Sequence, residues 1–366
     1  LILSGGQIFC QDSQGLRPKT GQVPEALQFL SALGRGPDFA TFQAKSMEEA
    51  TMTVIVSPLK LVDVLQYSLG FVRTMVQTRP LNLAPENWTS YETDFKIPAA
   101  TFQDWQKAFG NHDPYDNRNT FYSYMNTNAF FTCASRLGID FKTVMHLSSE
   151  VSYRDLAFQF EPERSYRYKA RVHDIKAFPG RGRGILEIEI QILDGDHVKL
   201  IHIDRMFFRG IPSAAYEKLV ARQKPEEKYA GISRRVSALA RNYEFKTLFH
   251  VGRKLGVQYG MLSGDLNPIH TVDLVSKLFR HPGSFIQGLC ATNLVLSLLK
   301  DSLGVDVGRV EAIFASPLFC GQNYYLVVNH SQFEVIDEND QVKVFGEFED
   351  CTHLRRLMGR STRQVI

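Results

Sequence analysis

The stretch Tyr259-Gly260-Met261-Leu262-Ser263-Gly264-Asp265-Leu266-Asn267-Pro268-Ile269-His270 places a carboxylate, an amide and an imidazole within six residues, around an Asn-Pro helix start. Asparagine is a strong N-cap. Proline suits the first helical position, because its missing N–H costs nothing there and its fixed φ already matches a helix. The spacing predicts a helix that begins at Pro268 and runs through Ile269, Val272, Leu274 or Val275, Leu278 and Phe279, with Ser263-Gly264-Asp265 as the turn before it. His270 then stands on the first turn and Asp265 on the incoming loop. On one continuous helix, five residues at ~100° each would splay the two side chains about 140° apart. The loop-to-helix break removes that objection. A carboxylate and a neutral imidazole facing one pocket can share a bound water, one taking a proton while the other delivers one. An ordinary capped loop is the competing reading, since turn chemistry alone selects Gly, Asp, Asn and Pro.

The string resembles the Ser-Gly-Asp-x-Asn-Pro-[Ile/Leu]-His signature of the MaoC-like dehydratases and (R)-specific enoyl-thioester hydratases. The resemblance implies that Asp265 and His270 orient and deprotonate a water, that Asn267 holds the water or the Asp265 loop, and that Ser263 and Gly264 border the substrate. In that family a loop follows, and then a long central helix that starts at a His-Gly-Met-like step. Here the step reads Phe285-Ile286-Gln287-Gly288-Leu289, and an apolar run from Cys290 to Leu299 is long enough for a buried helix. Gln287 departs from the usual His and stands against the substrate. Gly288 is kept. Without a Cβ it would let a thioester carbonyl approach, and its N–H, at the positive end of the helix dipole, would stabilise an enolate oxygen. The segment from Val310 to Gly321, followed by apolar and aromatic runs at 324–330, 331–336 and 342–349, reads as a strand and an antiparallel meander with a tight turn at 337–340. One buried helix before such a meander is what a hot-dog fold requires, and the resemblance covers 233–350.

The pattern occurs twice. Gly110, Asn111, Asp113, Pro114 and Asp116 can be laid over Gly264, Asp265, Asn267, Pro268 and His270, keeping the scaffold residues and exchanging the titrating ones. An apolar helical stretch from Met125 to Leu137 follows, and Leu137-Gly138-Ile139-Asp140 echoes Leu303-Gly304-Val305-Asp306. Strand-like runs come next, at 150–154, 165–172, 184–193 and 197–203. Repetition at domain scale fits an internal pseudo-dimer of two hot-dog units joined edge to edge, open to further homodimerisation. The expected class is α+β: a double hot-dog, two antiparallel sheets each wrapped around a central helix, with an N-terminal extension. The units would be an extension at 1–90 of unassigned role, a non-catalytic hot-dog at 91–212 that shapes the acyl pocket, an exposed charged crossover at 213–232, a catalytic hot-dog at 233–357 and a tail at 358–366.

The chain of 366 residues, 44% hydrophobic and 22% charged, can bury a sizeable core. A net charge of +3 argues neither for a nucleic-acid partner nor for a strongly acidic one. Five scattered cysteines lack CxxC or Cys/His spacing, which argues against zinc and a disulfide framework and suits reduced cytoplasmic thiols. Cys290 reads as helix packing rather than as a nucleophile. Pro58, Lys60, Asp63 and Arg73 interrupt the apolar stretch 52–76, which makes it a poor transmembrane candidate. Lys277 and Arg280, or Arg181 and Arg183 in a Gly-rich turn, are candidates to meet the phosphates of a CoA or phosphopantetheine substrate, against the plainer reading of solvated surface.

These observations converge on reversible hydration and dehydration of trans-2-enoyl and (3R)-3-hydroxyacyl thioesters, carried on CoA or acyl carrier protein. No metal or cofactor is called for beyond the carrier that the substrate brings. A hot-dog thioesterase and a non-catalytic acyl-binding scaffold are the alternatives.

Overall fold

A computed structural model of the chain describes residues 2–4, 7–12, 15–18, 41–44, 52–55, 81–103, 121, 123–134, 137–140, 143–263, 265 and 267–352. The first-copy motif at 110–116 and the tail at 358–366 lie outside the described residues, as does Gly264. The chain divides into a unit at 1–66 and one at 67–366. The first carries an antiparallel sheet of β1 (Ile2–Ser4), β2 (Gln7–Asp12) and β3 (Gly15–Pro18), and a hairpin of β4 (Thr41–Ala44) and β5 (Met52–Ile55).

The second unit is built twice over. Its N-terminal half runs β6 (Ser90–Lys96), α1 (Ser123–Ala134), β7 (Met145–Tyr153), β8 (Ser165–Ala177), β9 (Arg183–Asp194) and β10 (His197–Arg209). After α2 (Ser213–Arg222), its C-terminal half brings β11 (Phe245–Val251), the short helices α3 (Leu255–Ser263), α4 (Pro268–Thr271) and α5 (Asp273–Leu278), the long helix α6 (Gly288–Leu303), and then β12 (Val307–Phe314), β13 (Gln322–Asn329), β14 (Gln332–Ile336) and β15 (Val342–Asp350). All ten strands β6–β15 form one sheet in the order β11-β13-β14-β15-β12-β7-β10-β9-β8-β6. Read outward from the β12–β7 seam, each half has the same succession of first-after-helix, fourth, third, second and before-helix strands. Antiparallel pairing of Arg309 to Ile313 with Ser152 to Ser148 closes the seam. This is a double hot-dog.

Alternation along the strands explains which face is inside. On β8, Tyr166, Tyr168, Ala170 and Val172 point inward; a bulge between Val172 and Asp174 shifts the phase, so that Ile175 and Ala177 continue the buried row. The central helices fill that face. α6 buries Leu289, Cys290, Ala291, Val295, Leu296 and Leu299, each large aliphatic side chain contributing about 1.5–3 kcal/mol when fully removed from water. Gly138 and Gly304, at the repeated Leu-Gly-x-Asp step, have φ of 69° and 68°. A side chain there would oppose the left-handed turn that closes a helix.

The crossover departs from expectation. Residues 213–232 are not a bare exposed linker: α2 packs beside β8, and Tyr229 is only 1% exposed among Phe178, Phe207 and Ile313 on the sheet's outer face. The charges of 218–228 and Pro225 conceal one aromatic anchor. Arg181 and Arg183 sit at a tight β8–β9 hairpin, where Gly180 and Gly182 have positive φ and a strand follows. Among the described residues, no helix is long and apolar enough to cross a membrane.

Candidate functional site

The segment 255–290 is a series of short helices pinned by side-chain-to-backbone bonds. α3 ends at Ser263, which is buried and whose Oγ accepts the Asp265 N–H at 3.2 Å. Asp265 Oδ1 accepts weakly from the Asn267 N–H at 3.4 Å, and Asn267 Oδ1 accepts from the Ile269 N–H at 3.3 Å. The expected cap is therefore present, with Pro268 first in the helix.

The helix beyond it is shorter than the spacing suggests. α4 stops at Thr271, Val272 is extended at φ −131° and ψ 109°, and a separate helix α5 begins at Asp273. Long-range bonds impose the break. The Asp273 carboxylate accepts the Ser284 N–H at 2.8 Å, and Ser276 Oγ donates to the Gly283 carbonyl at 2.6 Å, tying α5 to the following loop. Leu274, Leu278 and Phe279, expected on one helical face, are left 64%, 68% and 56% exposed.

His270 is held by its other nitrogen. Nδ1 lies 2.8 Å from the Phe285 carbonyl oxygen, which only accepts, so Nδ1 carries the proton and Nε2 presents its lone pair. The Phe285 ring meets the imidazole edge-on at 4.8 Å. Burial pushes the His270 pKa below the ordinary histidine value. The negative charge of Asp265 and the Phe285 carbonyl offset part of that push, while His146 and His281 add to it. The ring is thus neutral near pH 7, in the form a general base needs. Gly256 matters here too, since an added Cβ would strike the His270 carbonyl oxygen.

Gln287 is 2% exposed and acts as a tie. Its Nε2 donates to the carbonyls of Gly256 at 3.1 Å and Asp265 at 3.0 Å, which fixes the amide's orientation and binds α3, the Asp265 loop and the start of α6 together. Its Oε1 is buried without a hydrogen-bond partner among the described residues. Gly288 opens α6, and the N–H of a first helical residue has no intrahelical acceptor. The room expected over this glycine is taken: a Cβ would come within 2.6 Å of His146 Nδ1 and 2.9 Å of Phe314. Any thioester carbonyl would have to approach from the N–H side rather than over Cα.

Lys277 and Arg280 lie beyond the break, both exposed, with Arg280 in a left-handed conformation (φ 65°) after α5. No described contact joins either to Asp265 or His270. Cys290 is buried and its thiol is pushed well above the usual value by burial, as packing rather than nucleophilic attack requires. Two grooves, of about 400 and 780 Å³, lie elsewhere, one beside Leu303 and Val305 and the other beside Lys199 and Gly308. Neither includes Asp265 or His270. The site is placed by converging polar groups, not by cavity size.

Sequence reasoning missed a second polar cluster, from the N-terminal half. His146 Nε2 lies 2.6 Å from Asp204 Oδ1, in a contact that lacks the geometry of a good hydrogen bond. Behind it, Asn126 Nδ2 contacts His202 Nδ1 at 3.4 Å, and His202 Nε2 meets Ser149 Oγ at 2.7 Å. A signal existed: His202 and Asp204 follow Leu200 at period two, polar residues in register with a buried apolar one.

Residues 235–347 match the family model of the MaoC like domain. No curated protein matches the chain by sequence. Among solved structures, HtdX of Mycobacterium tuberculosis is 13% identical, with 72% of this chain and 100% of that chain covered and a TM-score of 0.50. A MaoC-like dehydratase is 11% identical, over 72% of this chain and 97% of its own, with a TM-score of 0.51. A conserved hypothetical protein of Mycobacterium tuberculosis with a double hot-dog fold is 12% identical, over 71% and 94%, with a TM-score of 0.45. At such identities the structural likeness shows the fold alone.

Proposed function

From the match of residues 235–347 to the MaoC like domain, we propose a catalyst of reversible syn hydration of trans-2-enoyl thioesters to (3R)-3-hydroxyacyl thioesters. The observation that carries this reading is the state of His270. With Nδ1 bonded to the Phe285 carbonyl, Nε2 is left as a base near Asp265, at the entry to α6. A water held between Nε2 and the Asp265 carboxylate loses a proton to the pair as its oxygen bonds to C3. The C2–C3 π pair moves toward the carbonyl, and the charge gathers on the thioester oxygen, where the Gly288 N–H donates. C2 then takes a proton back from the pair on the same face, and the two side chains end as they began.

Asn267 keeps the Asp265 turn in shape, and Gln287 holds its backbone. The thioester supplies the acidity of C2, so the scheme asks for no metal or redox group. The carrier, CoA or acyl carrier protein, comes with the substrate. The N-terminal half, in the role of the second member of a pseudo-dimer, would wall the acyl side.

Asp265→Asn and His270→Ala are each expected to lower hydration of crotonyl-CoA by about a hundredfold or more while leaving the fold intact, the usual scale for losing a general acid or base. The loss is read at the enoyl absorbance band. Near-normal hydration by both variants contradicts the proposal, and release of free thiol with the enoyl band intact would instead favour a thioesterase.

A further inference from the structure

The helix that follows the break after His270 leaves large apolar side chains in water. On α5, Leu274 and Leu278 lie one turn apart on the same face, and Phe279 caps the helix beside them; all three are exposed. Exposed leucines scattered singly need no explanation, but three large apolar side chains within six residues mark a contact surface. Cations rim it. Lys277 shares the face of the leucines, three residues after Leu274, and Arg280 follows Phe279; both are exposed. Arg253, also exposed, belongs to the same surface, since its charge acts together with that of Lys277 on the Asp273 carboxylate. Asp273 is the one carboxylate in the sequence from 268 to 285, and it is engaged by the Ser284 N–H at 2.8 Å. The surface is therefore apolar at its centre and positive at its edge.

The same segment builds the site. Ser284, which binds Asp273, precedes Phe285, whose carbonyl accepts from the His270 Nδ1 at 2.8 Å. The Phe285 ring meets the imidazoles of both His281 and His270 edge-on, at 4.9 and 4.8 Å. With six residues at ~1.5 Å each, α5 is about 9 Å long, so the whole patch stays close to His270. The phosphates of CoA would use the cations and leave the leucines and Phe279 uncovered. A thioester delivered by a protein accounts for both: apolar contacts bury the centre, and the cations select an acidic partner.

We propose that this surface docks an acyl carrier domain, an acidic helical protein that presents its thioester on a flexible phosphopantetheine arm, and that this carrier is preferred to free CoA. The inference rests on the hydratase reading above. Leu274, Leu278 and Phe279 form the centre of the contact, Lys277, Arg280 and Arg253 face carboxylates of the carrier, and the arm crosses the short distance from α5 to His270. Lys277 and Arg280, expected from the sequence to meet CoA phosphates, then read the partner protein, in keeping with their lack of any described contact with Asp265 or His270. Free CoA carries the same arm and serves as the poorer substrate.

The test compares hydration of the crotonyl thioesters of a purified acidic acyl carrier protein, of CoA and of pantetheine, with binding of the unacylated carrier followed by fluorescence anisotropy. The carrier thioester is expected to exceed crotonyl-CoA in kcat/KM by about tenfold or more, while CoA and pantetheine agree within about threefold. Leu278→Ser and Arg280→Glu are each expected to raise KM for the carrier thioester by about tenfold, leaving its kcat and the pantetheine reaction as in wild type, and Arg280→Lys to restore most of the loss. Added salt should weaken the carrier reaction alone. Crotonyl-CoA hydrated as well as the carrier thioester overturns the inference, and so does an Arg280→Glu defect confined to CoA, which would assign the cations to its phosphates. Sedimentation with phosphatidylglycerol vesicles that Leu278→Ser abolishes, without carrier binding, would assign the patch to a lipid surface and also overturns it. His270→Ala is expected to bind the carrier as wild type does while hydrating none of the three thioesters. If wild type hydrates none of them yet binds the carrier, and Arg280→Glu does not bind it, the hydratase reading falls and the docking surface stands. If the CoA and pantetheine thioesters are hydrated and the carrier neither binds nor reacts, the docking surface falls and the hydratase reading stands.

Discussion

Each histidine of this centre has one nitrogen engaged by the protein, and the partner decides what the other can do. A backbone carbonyl engages the His270 Nδ1 and leaves Nε2 as a base, whereas His146 turns its Nε2 to the Asp204 carboxylate at 2.6 Å. His202, fully buried between Asn126 and Ser149, has a stability role. Its pKa is lowered from 6.5 to about 4, so between those values the unfolded chain binds a proton that the folded chain refuses. Stability contributed by the neutral ring is complete above pH 6.5 and is lost as the pH falls toward 4, by about 3 kcal/mol in all. His202→Gln is expected to flatten that part of the curve of thermal midpoint against pH; an unchanged slope contradicts it. For the proposed hydration the sign is the same: with His270 as the base and its pKa lowered, the rate is expected to decline on the acid side only below the ordinary histidine range.

At the scale of elements, local signals were legible and long-range ones were not. Asn267-Pro268 announces a helix start in sequence, and the structure places a capped helix there. Val272 cannot announce its break, because an apolar residue at helical spacing looks like continuation; the cause is Ser284, eleven residues beyond Asp273, whose N–H donates to the Asp273 carboxylate. Asp273→Ala removes that acceptor from a carboxyl that the Ser284 bonds hold below its usual pKa. The expected cost is about 1–3 kcal/mol, read by denaturant unfolding, with slower hydration as α4 and α5 loosen. No change in either would show that the break has another origin. The crossover at 213–232 illustrates the opposite error: its composition is that of solvated surface, but a single buried Tyr229 anchors it. The His146–Asp204 pair was invisible because it depends on β7–β10 register, which contains a bulge between Arg205 and Met206.

Across the whole molecule, the repeat expected from two Leu-Gly-x-Asp steps emerges as two halves of identical strand order, fused through β7 and β12. That seam sets Glu150 opposite Glu311, a like-charge pair that would repel if bare. Arg205 bridges the two carboxylates and also reaches Glu187, while Lys228 shares the Glu311 Oε1 with it and Arg309 binds the other oxygen of Glu150. Removing the centre of a buried charge cluster leaves the rest uncompensated. Arg205→Ala is therefore expected to destabilise the fold by about 3–5 kcal/mol, measured by chemical denaturation. A loss within about 0.5 kcal/mol would mean the seam is held by strand pairing alone.

The chemistry assigned to this architecture can be located by where solvent oxygen ends up. In water enriched in heavy oxygen, trans-2-enoyl-CoA is expected to yield (3R)-3-hydroxyacyl-CoA with the label at C3, the thioester intact, and none of this product from His270→Ala. Label in a free carboxylate, with CoA released and the double bond retained, would contradict the account.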